Sequence, residues 1–341
     1  EVPPEPEVPN YRREVPVDMV APALASRFGL AMLGTCDDRV AASFAGSKTA
    51  TCGDVVPGKA VWGRLFGETG NVGFGGRGTS GRVSSFESHG PSYDFNLGGF
   101  QTGVDLWSKT TDGGSRNIAG TYLGAGSIDA TVDLAQGGGT AGKTSMNGYS
   151  LGGYWTHKNA DGWYLDSVLQ GTRYDNVRAS SRSPEGQTLK TNGWGLAASV
   201  EAGHSLLLSD DGWTLVPQAQ LIYQRISLDG GRRDAFGTVD FNDSDAVYGR
   251  LGARLNKDWQ GKNGQPVSTW AKANLWHGFG AKATTTFANQ DGNQAVGLET
   301  DLGGTWAQLG LGVSGRLSER VSVSASANYN LALDQGRGSS V

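Results

Sequence analysis

Two cysteines, four histidines and a short run of charged residues near one end are the groups in this chain whose types could do chemistry. Cys36 and Cys52 are the only cysteines. In a cell-envelope compartment the pair would close a loop of about 15 residues, a disulfide worth about 3 kcal/mol by loop entropy; the other reading is two unpaired thiols. His89, His157, His204 and His277 are scattered, with no H-x-x-H or comparable ligand spacing, so no metal site is expected. There is no G-x-S-x-G elbow to activate a serine. The run GFGGRG at 73–78 lacks a following helix and the Lys-Ser/Thr ending of a phosphate cradle, and reads as a surface loop. No catalytic residue and no cofactor is therefore expected. The net charge of −4 gives no basic footprint, which argues against nucleic acid as a partner.

The charges that remain to be explained are Arg27, Asp37, Asp38 and Arg39, and the element carrying them is the first to consider. Residues 1–16 are rich in Pro and Glu and read as an extended linker. From about Val20 to Ala42 the pattern turns helical, with Leu24, Phe28, Ala31 and Met32 on one face. Asp18 is placed as the cap, and Pro22 fits only near the first turn. About 23 residues at roughly 1.5 Å each span about 35 Å, enough to cross a bilayer's hydrocarbon core. Its four charges exclude contact with lipid. A polar helix of membrane-spanning length, kept from lipid, is expected as a plug inside a water-lined barrel.

The rest of the chain supplies such a barrel. Glycine is 54 of 341 residues, about twice the average share of roughly 7%, while Trp and Tyr number 10 each. That combination points to many strands with tight turns rather than to disorder. No stretch reaches the ~20 apolar residues of a spanning helix, but alternate strand residues can face lipid at low hydropathy. From Ala60 the period is two. Val321, Val323, Ala325, Ala327, Tyr329 and Leu331 share one face, against Ser322, Ser324, Ser326, Asn328 and Asn330. Val247, Gly249, Leu251, Ala253 and Leu255 alternate in the same way with Tyr248, Arg250, Gly252, Arg254 and Asn256. Trp163, Leu165 and Leu169 oppose Asp166, Gln170 and Thr172.

Eleven strands of about 10–14 residues are expected, longer than the 5–6 usual in soluble sheets. They start near Val61, Phe95, Arg116, Asn147, Gly162, Asn192, Gly212, Asp245, Val267, Thr305 and Arg320. Trp107, Trp155, Trp163, Trp213 and Trp259 fall near strand ends, as an interfacial girdle requires. Short connections at 157–162, 208–212 and 318–320, with intermediate ones at 108–115 and 258–266, mark the periplasmic side. Long polar connections at 71–91, 127–145, 177–191, 228–244 and 279–304 mark the outer side. Single-chain bacterial barrels have even strand numbers. The eleventh strand runs outward into 334–341, so a twelfth, inward strand of roughly 10–15 residues is expected to be missing from the sequence.

The organisation expected is thus a linker at 1–16, a pore helix at 17–43, a connecting segment at 44–59 and a barrel at 60–341. By strand parity, Arg64, Glu68, Asp166, Gln170, Glu201, Gln218, Gln220, Arg250, Arg254, Lys272, Asn274, Gln308, Arg316 and Asn328 point into the lumen. There they can pair with Arg27, Asp37, Asp38 and Arg39, since buried charges must be paired or hydrated. Such pairs either merely solvate the pore or lock the helix and seal it.

In order along the chain, several segments resemble the β-domains of autotransporters of the pertactin/AIDA type. They are EVPVDMVAPALASRFGLAMLGTCDDRV, WGRLFG at 62–67, FQTGVDLW at 100–107, SLGGYWTH at 150–157, GWYLDSVLQGTRYDN at 162–176, WGLAASVEAGHSL at 194–206, DGWTLVPQAQL at 211–221, YGRLGARL at 248–255, WAKANLWHGFG at 270–280 and AQLGLGVSGRLS at 307–318. The resemblance covers about residues 11–334. It implies an all-β, 12-stranded antiparallel outer-membrane barrel with an N-terminal helix in the pore, in a Gram-negative bacterium. It further implies a monomer inserted into outer-membrane lipid by the barrel-assembly machinery, and an upstream passenger of its own displayed at the cell surface and anchored there, a role tied to protein transport and virulence. Relatives carry an assembly signal in a C-terminal strand ending in an aromatic residue, and some cut themselves at an Asn-Asn step. This sequence has neither, so those two properties do not carry over. The competing reading is an outer-membrane barrel enzyme of the protease or phospholipase kind. It would need a Ser/His or Asp/His set at one rim, where His157 and His277 are expected at opposite ends.

Overall fold

The structure is a computed structural model and describes residues 10–41, 52, 61–74, 78–136, 138–183, 188–234, 237–261, 264–318, 321–334 and 336–341. The connecting segment at 44–59 lies outside them except for Cys52, as does most of the linker. In chain order the elements are α1 (Glu14–Leu33), α2 (Cys36–Ala41), β1 (Val61–Phe74), α3 (Gly78–His89), β2 (Tyr93–Thr110), β3 (Arg116–Asp133), β4 (Thr140–Lys158), β5 (Trp163–Ser181), β6 (Thr188–His204), β7 (Leu206–Ser209), β8 (Trp213–Leu228), β9 (Gly231–Asp234), β10 (Gly237–Phe241), β11 (Ser244–Gln260), β12 (Pro266–Phe279), β13 (Lys282–Ala288), β14 (Val296–Asp301), β15 (Thr305–Ser318), β16 (Val321–Ala332) and β17 (Gly336–Ser340).

Twelve of these strands form a closed antiparallel wall, β1-β2-β3-β4-β5-β6-β8-β11-β12-β15-β16-β17 and back to β1, with β7 as an extra strip on β8. Closure removes the unpaired edges that lipid would not tolerate. The wall corrects one expectation. Residues 336–340 are not an outer loop but the twelfth strand, running inward beside β1 from Gly336↔Phe74 to Ser340↔Gly70. It spans only five residues and meets β16 at two positions.

Alternation sorts the wall into two surfaces. Leu65, Leu123, Leu151, Leu169, Leu221, Leu251, Leu309 and Leu311 are each more than half exposed on the outer face, which water would not leave unoccupied in a soluble sheet. Trp107, Trp155, Trp163, Trp213 and Trp259 are exposed at the strand ends joined by short turns. Tyr149, Trp194 and Tyr223 form a second exposed aromatic row toward the other end. Trp213 and Tyr223 are ten residues apart on β8, about 33 Å along a strand and about 25 Å of membrane normal at a usual tilt of about 40°.

The long strands run 12–19 residues, beyond the 9–11 that a bilayer needs, because they continue past the outer aromatic row. The outer connections are correspondingly less loop-like than expected. The hairpins β9–β10 and β13–β14, from two different connections, join through β10–β13 into a four-stranded sheet. Together with α3 this sheet covers the outer mouth, where Phe86 and Leu298 pack on Met19 of α1.

Candidate functional site

The helix in the pore is two helices. Its first part starts at Glu14, earlier than expected, after Arg13, which makes no side-chain cap. Asp18 is therefore interior rather than a cap, and Pro22 sits mid-helix. Proline there removes one backbone hydrogen bond, and tertiary contacts on every side hold the turn. Gly34, at φ +62°, stops α1, a backbone angle a side chain would resist. Thr35 and Asp38 then cap α2 reciprocally: the Thr35 N–H and hydroxyl donate to Asp38 at 2.9 and 2.8 Å, and the Asp38 N–H returns a bond to Thr35 at 3.3 Å.

The direction of the chain through the pore is set by its contacts. Val17 is held by Thr144, near the outer start of β4, and Arg39 by Asp166, near the periplasmic start of β5. The chain therefore enters from the outside and descends, and residue 10 stands at the outer mouth.

The outer half of the lumen is packed with apolar side chains. Val17, Val20, Leu24 and Phe28 pack against Phe95, Ile128, Met146, Tyr174, Val177 and Ile226 of the wall in one buried cluster. This corrects the expectation of a polar helix in a wet pore: α1 is apolar enough in length and composition to cross a membrane, and the barrel, not lipid, surrounds it. Gly148 makes room for Phe28, whose ring would meet any Cβ there.

The wall holds α1 largely by its backbone. Tyr174 Oη donates to Ala25 O at 2.8 Å, Gln224 Nε2 to Ser26 O at 3.1 Å and Gln170 Nε2 to Gly29 O at 3.0 Å. Arg64 Nη2 donates to Ala31 O at 2.7 Å, and Gln101 donates to Met32 O. From the outer sheet, Thr300 Oγ1 of β14 donates to Met19 O at 3.1 Å. Carbonyls have a second lone pair free inside a helix, so this grip asks little of the side chains it passes. Ser26 is a side-chain exception, with Gln224 Oε1 at 2.7 Å and Tyr248 Oη at 2.9 Å.

The periplasmic half is ionic. Asp37 meets Arg254 at 3.1 Å and accepts from Gln218 at 2.8 Å. Arg39 pairs with Asp166, which also accepts from Thr156 at 2.6 Å. Asp38 lies 3.7 Å from Arg64. Glu201 and Arg250 pair at 3.0 Å, tied to Asp37 through Tyr164 and Gln218. Higher up, Arg27 meets Glu68 at 2.8 Å and lies over the Phe95 ring. Cys36 and Cys52 are joined as a disulfide, with Cα atoms 5.5 Å apart. Their sulfurs and an Asp166 oxygen lie within 4.8 Å of one another, but a disulfide has no thiolate to bind a metal.

Of the expected lumen residues, Asp166, Gln170, Glu201, Gln218, Gln220, Arg250, Arg254 and Asn274 are buried inside the wall. Arg64, Glu68, Lys272, Gln308 and Asn328 are half-buried. The side chain of Arg316 lies outside the described residues. Gln220 bonds Ser199 at 2.9 Å, and Asn274 bonds Gln308 at 2.8 Å, with no part in holding α1 or α2. Lys272 stands opposite Arg254 and Gly310, and Gly310 opposite Asn328, in one lumen row. Parity alone would also have found Gln101, Tyr164, Tyr174, Gln224 and Tyr248, because each alternates with a lipid-facing neighbour.

The histidines sit apart: His89 beside Ser88 on α3, His157 with Asn117, His204 stacked on Trp163, His277 with Thr305.

A family model described as "Autotransporter beta-domain" matches residues 61–328. The pertactin autotransporter of Bordetella bronchiseptica is 31% identical over 260 residues, 75% of this chain and 26% of that protein. The adhesin BmaC autotransporter of Brucella suis biovar 1 is 30% identical over 225 residues, 63% of this chain and 6% of that protein. The chain thus spans about a quarter or less of these relatives. Among solved structures, the transport unit of the autotransporter AIDA-I from Escherichia coli superposes with a TM-score of 0.70 at 17% identity, covering 97% of each chain. The β-domain of the Bordetella autotransporter BrkA gives 0.61 at 24% identity, over 83% of this chain and 97% of that one.

Proposed function

This chain belongs to the autotransporter β-domain family and is an outer-membrane translocator domain; from that premise we propose that the arrest of its N-terminal helix in the pore is how it anchors a passenger of its own at the cell surface. The observation that carries the reading is the direction of the chain: α1 enters from the outer mouth and α2 ends at the periplasmic charges, so anything joined ahead of residue 10 is held outside. The backbone grip supports a pore that accepts a passing chain with little regard to its side chains. The ionic cluster at Asp37, Asp38 and Arg39 supports a stop: those three charges face opposite charges of the wall in Arg254, Arg64 and Asp166. In this reading the barrel is inserted as a monomer into outer-membrane lipid by the barrel-assembly machinery, residues 14–41 are the plug and 61–341 the pore, and the domain itself performs no covalent chemistry.

The test uses the full-length protein on whole cells and the purified barrel in planar bilayers. Deletion of residues 14–41 is expected to raise the bilayer conductance severalfold and to abolish protease-accessible passenger at the surface. Equal conductance with and without the deletion sinks the plug; undiminished surface display without the helix sinks the anchoring role.

A further inference from the structure

The lipid-facing wall is uneven in charge above its outer aromatic row. On β4, β5 and β6 the outward, exposed positions there include Lys143, Arg178 and Lys190, with the exposed Arg182 one residue past the end of β5, and Arg173 lies in the row itself between Tyr149 and Trp194. Arg178 stands directly opposite Lys190 in the strand register. Lys143 lies opposite Ser180, one diagonal step from Arg178. Arg182 follows next on the same face, its N–H bonded to Ala141 O at 2.7 Å. Like charges directly across a strand pair are destabilising, and diagonal neighbours are about 7–8 Å apart, so four cations here repel one another unless an anion joins them. Among the described residues, none of these four makes an ion pair. Among the described residues, the nearest outward carboxylates are Asp175 below them and Asp129 a strand farther on beyond Ser145, fewer than the cations they face.

The neighbouring wall is different. Next to the patch, Arg225 of β8, two residues outward of Tyr223, is neutralised by Asp243, which precedes β11, at 2.6 Å and by Asp245 of β11 at 3.4 Å. The basic patch is therefore local and not a general feature of the rim.

Its height defines what it can meet. Ser145 and Lys190 lie four residues outward of Tyr149 and Trp194 on their strands. That is about 13 Å along a strand and about 10 Å along the membrane normal at a tilt of about 40°. Lipid headgroups occupy roughly 5–8 Å beyond the hydrocarbon on each side, and Lys and Arg side chains bend several ångströms back toward that layer. We infer that Lys143, Arg178, Arg182 and Lys190 form a lateral binding site for the phosphate groups of a phosphorylated glycolipid of the outer leaflet, with Arg173 and the rings of Tyr149 and Trp194 against its sugar–acyl junction. Guanidinium groups suit phosphate because they present paired N–H donors. The site lies wholly outside the lumen and involves no residue that touches α1 or α2.

The experiment measures retention of lipid by the purified full chain in detergent, with bisphosphorylated lipid A, enzymatically dephosphorylated lipid A, phosphatidylglycerol and inorganic phosphate as separate probes. The fourfold variant K143Q/R178Q/R182Q/K190Q is compared with wild type and with R225Q, and correct folding is read from heat-modifiable gel migration. Each headgroup contact near a membrane surface is worth about fivefold in affinity, so the fourfold variant is expected to lose at least tenfold in retention of bisphosphorylated lipid A. R225Q should retain it as wild type does, and the dephosphorylated lipid should bind wild type no better than the variant binds the phosphorylated one. Unchanged retention by the variant overturns the site. So does equal binding of phosphatidylglycerol, which would mean unspecific attraction, and so does inorganic phosphate bound as tightly as the glycolipid, which would mean a free-anion site. Should the fourfold variant not fold, K143Q/R182Q and R178Q/K190Q separately are each expected to lose about fivefold, and the same criteria apply.

Discussion

The two halves of the pore hold the same chain by opposite physics. In the outer half, α1 is enclosed as in the core of a soluble protein, with Leu24 and Phe28 fully buried and wall donors reaching its backbone. In the periplasmic half, α2 is enclosed by charge, with Asp37, Asp38 and Arg39 facing Arg254, Arg64 and Asp166. An apolar contact is tolerant of register, since one methyl group serves much like another. Two carboxylates followed by a guanidinium fit a wall that presents Arg254, Arg64 and Asp166 in one register only, because a shift brings like charges together. In the proposed function it is therefore the periplasmic half that fixes where the chain stops, and the apolar half that tolerates its passage.

The largest expected effect breaks the outer half. Leu24→Asp places a carboxylate in an apolar cluster whose nearest cation along the helix, Arg27, is already paired with Glu68, a change expected to cost at least about 4 kcal/mol. Unfolding by urea in micelles, followed with bilayer conductance, should show an open pore at denaturant concentrations where the wild-type barrel is still closed. A small effect would mean that water reaches Leu24 and that the outer half is wet. The next effect breaks the periplasmic half. Arg39→Ala or Asp166→Ala each leaves one buried charge unmatched and should cost about 3 kcal/mol. The double variant should cost about the same as either single one, a coupling that a merely solvated pair would not show.

The periplasmic half was legible in the sequence and the outer half was not. Arg27, Asp37, Asp38 and Arg39 are charges in a segment of helical period, and charges that cannot face lipid need partners, so strand parity could propose them. The outer half gave a misleading signal. Its lumen residues Ile128, Met146 and Ile226 are apolar, and an alternation of apolar with polar residues assigns apolar side chains to lipid. On β5 the register also shifts between Tyr174 and Val177, with Asn176 at φ 52°, so the inward face changes from even to odd positions. Val177 and Ala179 are buried for that reason, against the parity of Asp166 and Gln170. The closing strand was unreadable because GRGSS has neither length nor alternation; only its pairing with β1 defines it.

A smaller effect separates the halves by covalent chemistry. The Cys36–Cys52 bond tethers α2 to a chain position 16 residues on, and opening it with a reductant is expected to cost about 2–3 kcal/mol, confined to the periplasmic half. Hydrogen exchange should rise at Asp37 to Val40 after reduction and stay unchanged at Leu24 to Phe28. Loss of protection in both halves together would mean that the plug is one cooperative unit, with no division of labour.

The smallest effect lies where the chain leaves the outer mouth. Tyr11 packs tilted against Phe86 of α3, 4.9 Å between ring centres, and donates to Glu87 at 2.6 Å. Burial, and then this bond to a carboxylate, push the Tyr11 hydroxyl up to about 12 from an ordinary 10.0. A raised value means that the folded clasp favours the protonated phenol. Its contribution is therefore complete below pH about 10 and is lost as pH rises through about 12. Tyr11→Phe keeps the ring contact and removes the hydrogen bond, so it should weaken the clasp by about 0.5–1.5 kcal/mol at neutral pH and abolish the alkaline step. Backbone exchange at Glu14 and Val15, followed from pH 9 to 12 in both forms, reads the difference. An alkaline step that persists in Tyr11→Phe would assign it to another group and leave the outer half closed by apolar packing alone.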